Sequence, residues 1–231
     1  MGKFTSELKM RIINIAAHPD DEILGCGATM AKLSAEGHDI FPIILGEGAL
    51  SRNHANAFDV HGLTWAAQDA AHCLGTNKPR FYAFPDNRFD SLDLLDIVKP
   101  IEELLDEIKP DVIFTHHAND LNIDHQITFR ATLTAARPMQ NSLVQEILCF
   151  ETPSSTEWNF GKLGAQFNPS VFYDVSYFFD AKIQGLKHYE NEMREFPHPR
   201  SFKTVRSIAE NWGSAVGYDL CEAFELVYSR R

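Results

Sequence analysis

Apolar residues along this chain fall into two rhythms. Arg11–Ala17 (RIINIAA), Asp39–Leu45 (DIFPIIL) and Asp111–Thr115 (DVIFT) are short, nearly continuous apolar runs. That is the pattern of parallel strands buried on both faces. Arg80–Ala83 reads as a further short strand, and Pro42 is expected near the start or edge of its own strand because it lacks an N–H. Between these runs, Leu24–Glu36, Ala55–Cys73 and Ser91–Ile108 carry helical spacing. It is clearest in the last, where Leu94, Leu95, Val98, Ile101, Leu104 and Leu105 share one stripe. Gly37 supplies a C-cap for the first helix, Asp93 puts negative charge in the first turn of the third, and Pro110 closes it. His125–Arg137 is read as a helix stopped by Pro138.

Beyond residue 140 the spacing predicts strands at Glu146–Glu151 and Val171–Val175, then helices at Phe179–Glu195 and Ser201–Val216. Regular alternation of strand and helix predicts an α/β fold with a doubly wound, mostly parallel sheet and helices on both faces. This Rossmann-like architecture is read as a single domain over 1–231. Its core is 11–140, with 141–231 completing the sheet and pocket. Ligands are then expected at the carboxyl ends of the strands.

Composition narrows the partners. The 231 residues are 44% hydrophobic and 23% charged, with a net charge of −11 and no run of lysine or arginine. Such a balance argues against a nucleic acid or an anionic membrane surface as the main partner. No apolar stretch approaches the ~20 residues a membrane helix needs, and the polar start lacks a signal-peptide hydrophobic region. Met1-Gly2 with Ser6 fits a loose myristoylation pattern, but no polybasic segment follows it. The expected location is cytoplasmic, without membrane insertion. Cys26, Cys73, Cys149 and Cys221 are widely spaced with no CxxC pair, as for idle thiols in a reducing compartment.

Two polar clusters carry the chemistry. Ala17-His18-Pro19-Asp20-Asp21-Glu22 follows the first strand, and Thr115-His116-His117-Ala118-Asn119-Asp120-Leu121-Asn122-Ile123-Asp124-His125 follows the strand at Asp111. Both fall at the edge where the fold places its crevice. Zinc favours imidazole and carboxylate ligands, and a catalytic site keeps three of them with an open position. His18 and one of Asp20 and Asp21 supply two; the third comes from His116, His117 or His125. The remaining carboxylate is a natural base. On a purely structural reading, Asp20 and Asp21 are helix caps.

The HPDDE string in this position, with a later loop ending in Asp124-His125, resembles the PIG-L/LmbE-like family of zinc-dependent de-N-acetylases. That family includes N-acetylglucosaminyl-phosphatidylinositol de-N-acetylase and the mycothiol and bacillithiol deacetylases. The resemblance covers nearly the whole domain. It implies zinc held by His18, Asp21 and His125, with Asp20 as general base and Asp124 orienting an imidazole. Several members have a histidine where this chain has Asn122. Asn122 is therefore expected to donate to the oxyanion, with proton transfer left to Asp20, or to His116 or His117. The implied reaction removes an N-acetyl group from a small sugar conjugate, giving an amine and acetate.

Further loops add candidates for substrate contact: Glu47 and Arg52 after the second strand, Asp86, Asn87, Arg88 and Asp90 after the third, and His198 and Arg200 in Pro197-His198-Pro199-Arg200 between the last two long helices. His117 joins them. The arginines point to a nucleotide-linked or phosphorylated sugar, and a homo-oligomer is compatible with the sequence. Gly25-Cys26-Gly27 is read as helix packing rather than a dinucleotide fingerprint, since Met30 occupies the third glycine position. Competing functions are another zinc amidohydrolase or deformylase, a non-catalytic α/β binding protein and, weakest, an oxidoreductase.

Overall fold

A computed structural model describes residues 9–48, 57–140 and 142–230, with 57–60 described by backbone alone. Among them are seven strands and six α-helices: β1 (Arg11–Ala16), α1 (Asp21–Ala35), β2 (Asp39–Gly46), α2 (Ala57–Leu74), β3 (Arg80–Phe84), α3 (Leu94–Ile108), β4 (Val112–His116), α4 (Ile123–Ala135), β5 (Glu146–Phe150), β6 (Val171–Asp174), α5 (Phe179–His188), α6 (Phe202–Val216) and β7 (Cys221–Ser229). They form one α/β domain.

All strands join one sheet in the order β3-β2-β1-β4-β5-β7-β6. The pairs from β3 through β5 are parallel; β7 runs antiparallel to both β5 and β6. Strand order reverses between β1 and β4, and the two polar clusters follow those two strands. The crevice a doubly wound sheet opens at its switch point therefore lies between them.

Alternation along β1 divides the core. Ile12 packs with α1, α2, α5 and α6 on one face, while Ile13 and Ile15 pack with α3 and α4 on the other. Asn14, on the first face, is buried and donates from Nδ2 to Cys26 Sγ at 2.9 Å. Pro42 is tolerated although β2 is internal. The Ile40 carbonyl faces Asn77, just ahead of β3. Strand alternation turns the Pro42 nitrogen the same way, and β3 pairing begins only at Ile43.

The first helix bends where its backbone leaves helical geometry at Cys26 (φ −143°, ψ 28°). The groups freed there are satisfied from outside. Lys182 Nζ donates to Leu24 O at 2.7 Å, and Glu222 accepts from the Ala28 and Thr29 amides at 3.2 and 2.7 Å. Lys182 and Glu222, both buried, pair at 2.6 Å. Gly25 lies flush against the Phe150 ring, so close that an added Cβ would overlap it; packing is indeed what this glycine serves. Gly25→Ala should cost about 1–3 kcal/mol, as forced overpacking does. A denaturant midpoint unchanged from wild type would contradict that.

Two sequence expectations needed correction. Strand β7 was not foreseen, because Glu222 and Glu225 interrupt its apolar pattern. Each charge has its own partners: Glu222 those just named, Glu225 the His117 ring at 2.6 Å and the Asn168 amide at 2.7 Å. Helix α5 ends at His188 instead of Glu195, and a short 3-10 turn follows at Glu190–Glu192. Tyr189, fully buried, anchors the chain there by donating to Glu22 Oε1 at 2.6 Å.

Candidate active site

The turn after β1 is built around a strained residue. Asp20 sits at φ 104°, ψ −33°, at the N-cap position of α1 but without a side-chain capping bond. A non-glycine residue there costs about 1–3 kcal/mol and is held only by its surroundings. Here its amide donates to Glu22 Oε2 at 2.9 Å, and Glu22 is held in turn by Tyr189. The turn faces Asp20, itself buried, toward the pocket and aims Asp21 inward, and neither carboxylate works as a cap.

Asp21 Oδ2 accepts from the His18 amide at 3.0 Å. It lies 3.3 Å from His18 Nδ1 and 3.1 Å from His125 Nε2. The far nitrogen of His18 meets Asp124 Oδ2 at 3.0 Å and Asp86 Oδ1 at 3.4 Å. The far nitrogen of His125 meets Asp120 Oδ1 at 3.1 Å. Asp120 is tied to Ser155 Oγ and Thr156 Oγ1, and Asp124 Oδ1 accepts from the Phe89 amide at 3.0 Å. Each imidazole thus presents one nitrogen to Asp21 and has its other backed by an anchored carboxylate, the arrangement that orients histidine ligands.

Among the described residues two groups have ligand atoms close enough to share a cation: His18, Asp21 and His125, or His18, Asp86 and Asp124. The first fits better. Asp21 Oδ1 and both ring nitrogens of His125 are buried with no aligned hydrogen bond, although carboxylates stand nearby. Buried polar atoms without partners are rare and call for an ion or water. Asp124, by contrast, already serves His18 and Phe89.

The surrounding carboxylates also set the charge of the imidazoles. Burial pulls the His18 pKa down, but Asp124 and Asp21 outweigh it and lift it to about 10. For His125 burial likewise lowers, and Asp21 with Asp120 raises it to about 9. Asp21, despite burial, is held well below the carboxylate range by His125 and His18. The acidic cluster favours positive charge at this spot, which a divalent cation can supply in place of protons. Burial pushes the Asp20 carboxyl well up, against the opposing pull of Arg200.

The open pocket beside this cluster encloses about 380 Å³ and is lined by His18, Asp20, Asp86, Asn122, Glu192 and Arg200, among others. A larger groove of about 1150 Å³, between the ends of α3 and α4, has no histidine in its lining. Arg200 comes from the segment before α6 and pairs with Asp20 at 2.5 Å.

Not every expected residue reaches the pocket. His116 is fully buried, accepting from the Ala17 amide at 2.9 Å and meeting Thr152 Oγ1 at 3.2 Å; burial holds its pKa well below normal. His117 is locked between Glu225 Oε2 and Ala165 O, at 2.6 and 3.2 Å. Neither ring lines the pocket. Arg88 is exposed outside the lining, and His198 shapes its own loop by accepting from the Arg200 amide at 3.1 Å. Arg52 lies outside the described residues. Glu192 and Tyr189 were missed by the sequence reading, since nothing in the C-terminal pattern links them to the HPDDE turn.

Asn122 is in the lining, and its amide is partly engaged. Oδ1 accepts from the Asp124 amide at 2.8 Å as the N-cap of α4, and Nδ2 donates to Asn87 Oδ1 at 3.1 Å. The residue expected to donate to the oxyanion is also the N-cap of α4. Asn122→Ala should therefore cost about 1 kcal/mol of stability, and a change in kcat beyond about threefold without that loss would contradict the capping role.

Residues 13–136, more than half of the chain, match the family model described as PIG-L: GlcNAc-PI de-N-acetylase. This chain belongs to the PIG-L family. Similarity to the uncharacterised deacetylase YaiS of Escherichia coli is 30% identity over 186 residues, covering 78% of this chain and 90% of that protein. By structure, the PIG-L fold here resembles the N,N'-diacetylchitobiose deacetylase of Pyrococcus horikoshii, with TM-score 0.76, 16% identity, and coverage of 94% and 84% of the two chains. It resembles equally the 4-carboxy-2-hydroxymuconate hydratase GalB of Pseudomonas putida, with TM-score 0.77, 16% identity, and coverage of 96% and 98%. At such identities the likeness is one of fold, and that fold hosts more than one reaction. No helix among the described residues is long and apolar enough to cross a membrane.

Proposed function

We propose that this PIG-L protein is a metal-dependent hydrolase that removes the acetyl group from an N-acetylated amino sugar or sugar conjugate. The observation that carries the reading is His18, Asp21 and His125 converging on one point with Asp20 at the pocket wall beside them. The donor set of two imidazoles and a carboxylate suits zinc with an open position. When bound there, zinc polarises a carbonyl and brings the pKa of its water to about 7.

The chain's own groups do the rest. Asp124 and Asp120 back the two imidazoles, and the HPDDE turn fixes Asp20 at the pocket. Asp20 accepts the proton of the attacking water and returns it to the departing nitrogen, since no histidine outside the ligand set lines the described pocket. Of the arginines behind a phosphorylated or nucleotide-linked conjugate, Arg88 is outside the lining and Arg200 engages Asp20; Arg52 lies outside the described residues. We therefore hold the substrate at the level of an amino sugar or its conjugate.

The test is release of acetate and free amine from a panel of N-acetyl sugars, free and conjugated, with N-formyl counterparts alongside. Turnover of the acetyl compounds is expected. Turnover of the formyl compounds alone would make the protein a deformylase, and hydration of an unsaturated acid with no amide cleavage would favour the hydratase chemistry found on the same fold.

A further inference from the structure

Amide hydrolysis passes through a tetrahedral oxyanion, and donors fixed where that charge develops lower its energy. The described pocket offers few. Asn122 Nδ2 gives one of its two hydrogens to Asn87, Asn87 Nδ2 gives one to Asp86 Oδ1 at 3.0 Å, and His18 Nε2 faces Asp124. The strongest donor in the lining is the Arg200 guanidinium, a planar fork with a fixed positive charge.

Its placement is deliberate in the physical sense that each end is held. Nε donates to Ser154 Oγ at 2.8 Å and reaches Pro153 O at 3.4 Å, so the plane of the group is set by the loop after β5. The terminal nitrogens then straddle the two motif carboxylates, NH1 at 2.5 Å from Asp20 Oδ2 and NH2 at 3.9 Å from Asp21 Oδ1. Asp21 carries the buried oxygen that has no hydrogen bond. The guanidinium therefore borders the space between the base and the ligand cluster, where the substrate carbonyl must lie. Ser154 is held at φ 70°, a strained conformation of the kind found at functional sites.

We propose that Arg200 is a catalytic residue that stabilises the oxyanion, in addition to holding Asp20 in place. This rests on the de-N-acetylase reading above. As water adds to the acetamide carbonyl carbon, its proton passes to Asp20 and the π pair moves onto the carbonyl oxygen, beside the guanidinium. The C–N bond then breaks with its electron pair going to nitrogen, which takes the proton back from Asp20. Amine and acetic acid leave, and the acid ionises.

Arg200→Ala should lower kcat on the order of 10²–10³-fold, the range for losing one oxyanion donor, with KM and metal content within about twofold of wild type. Added guanidinium should restore part of the lost rate, and methylammonium should not, because a planar fork differs from a point charge. Arg200→Lys keeps the charge and carries the test if the alanine variant fails to fold; it should remain at least tenfold slow. Full kcat in Arg200→Lys, a loss confined to KM, or a loss that tracks metal content would each overturn the proposal. The wild-type protein on the same substrates reports separately on the parent reading, and an inactive wild type would overturn both.

Discussion

Replacing His18 or His125 with alanine should abolish both metal binding and turnover. The two imidazoles meet at Asp21 Oδ2, 3.3 and 3.1 Å away, and each is backed by an anchored carboxylate. Loss of a supporting residue alone typically costs about 10–100-fold in metal affinity, and loss of a ligand should exceed that. Asp21→Asn should behave similarly, since it removes the fully buried charge that both histidines face. Metal content by elemental analysis, read beside acetate release, checks this. Metal and activity kept in the His125 and Asp21 variants but lost in His18→Ala would place the cation at the His18–Asp86–Asp124 group; Asp86→Asn would then be a second variant that empties the site.

A second large effect should separate Asp20 from its neighbour. Asp20→Asn should retain metal and lose kcat on the order of 10²–10⁴-fold, the usual worth of general acid–base catalysis. The reason is geometric: Asp20 turns into the pocket toward Arg200, whereas Asp21 turns toward His18 and His125. Adjacent carboxylates in one turn thus face different partners. Asn keeps the shape at the strained φ and can still meet Arg200, so the melting temperature should fall little. Loss of metal in Asp20→Asn, with retention in Asp21→Asn, would mean the roles are exchanged.

Much of this was legible in the sequence, for identifiable reasons. RIINIAA and DVIFT are buried on both faces, so their apolar runs showed two central strands. The polar clusters after them then had to share the crevice of a doubly wound sheet. The HPDDE turn fixed the likeness to a family. What stayed hidden depends on contacts far apart in the chain. Glu192 and Tyr189 reach the turn from a segment with no local signature, and β7 was masked by glutamates whose partners lie on other elements. Asn122 was legible as a residue of the site but not as a cap. That requires knowing that α4 starts at Ile123, two residues earlier than its spacing suggests.

The most direct test of the central claim is to measure metal and activity in the same preparation. Purified protein should carry about one zinc per chain, the number a single three-ligand site holds. Chelation should remove the metal and stop acetate release from an N-acetyl amino sugar, and returning zinc should restore it. Acetate release at an undiminished rate from metal-free protein would contradict the account.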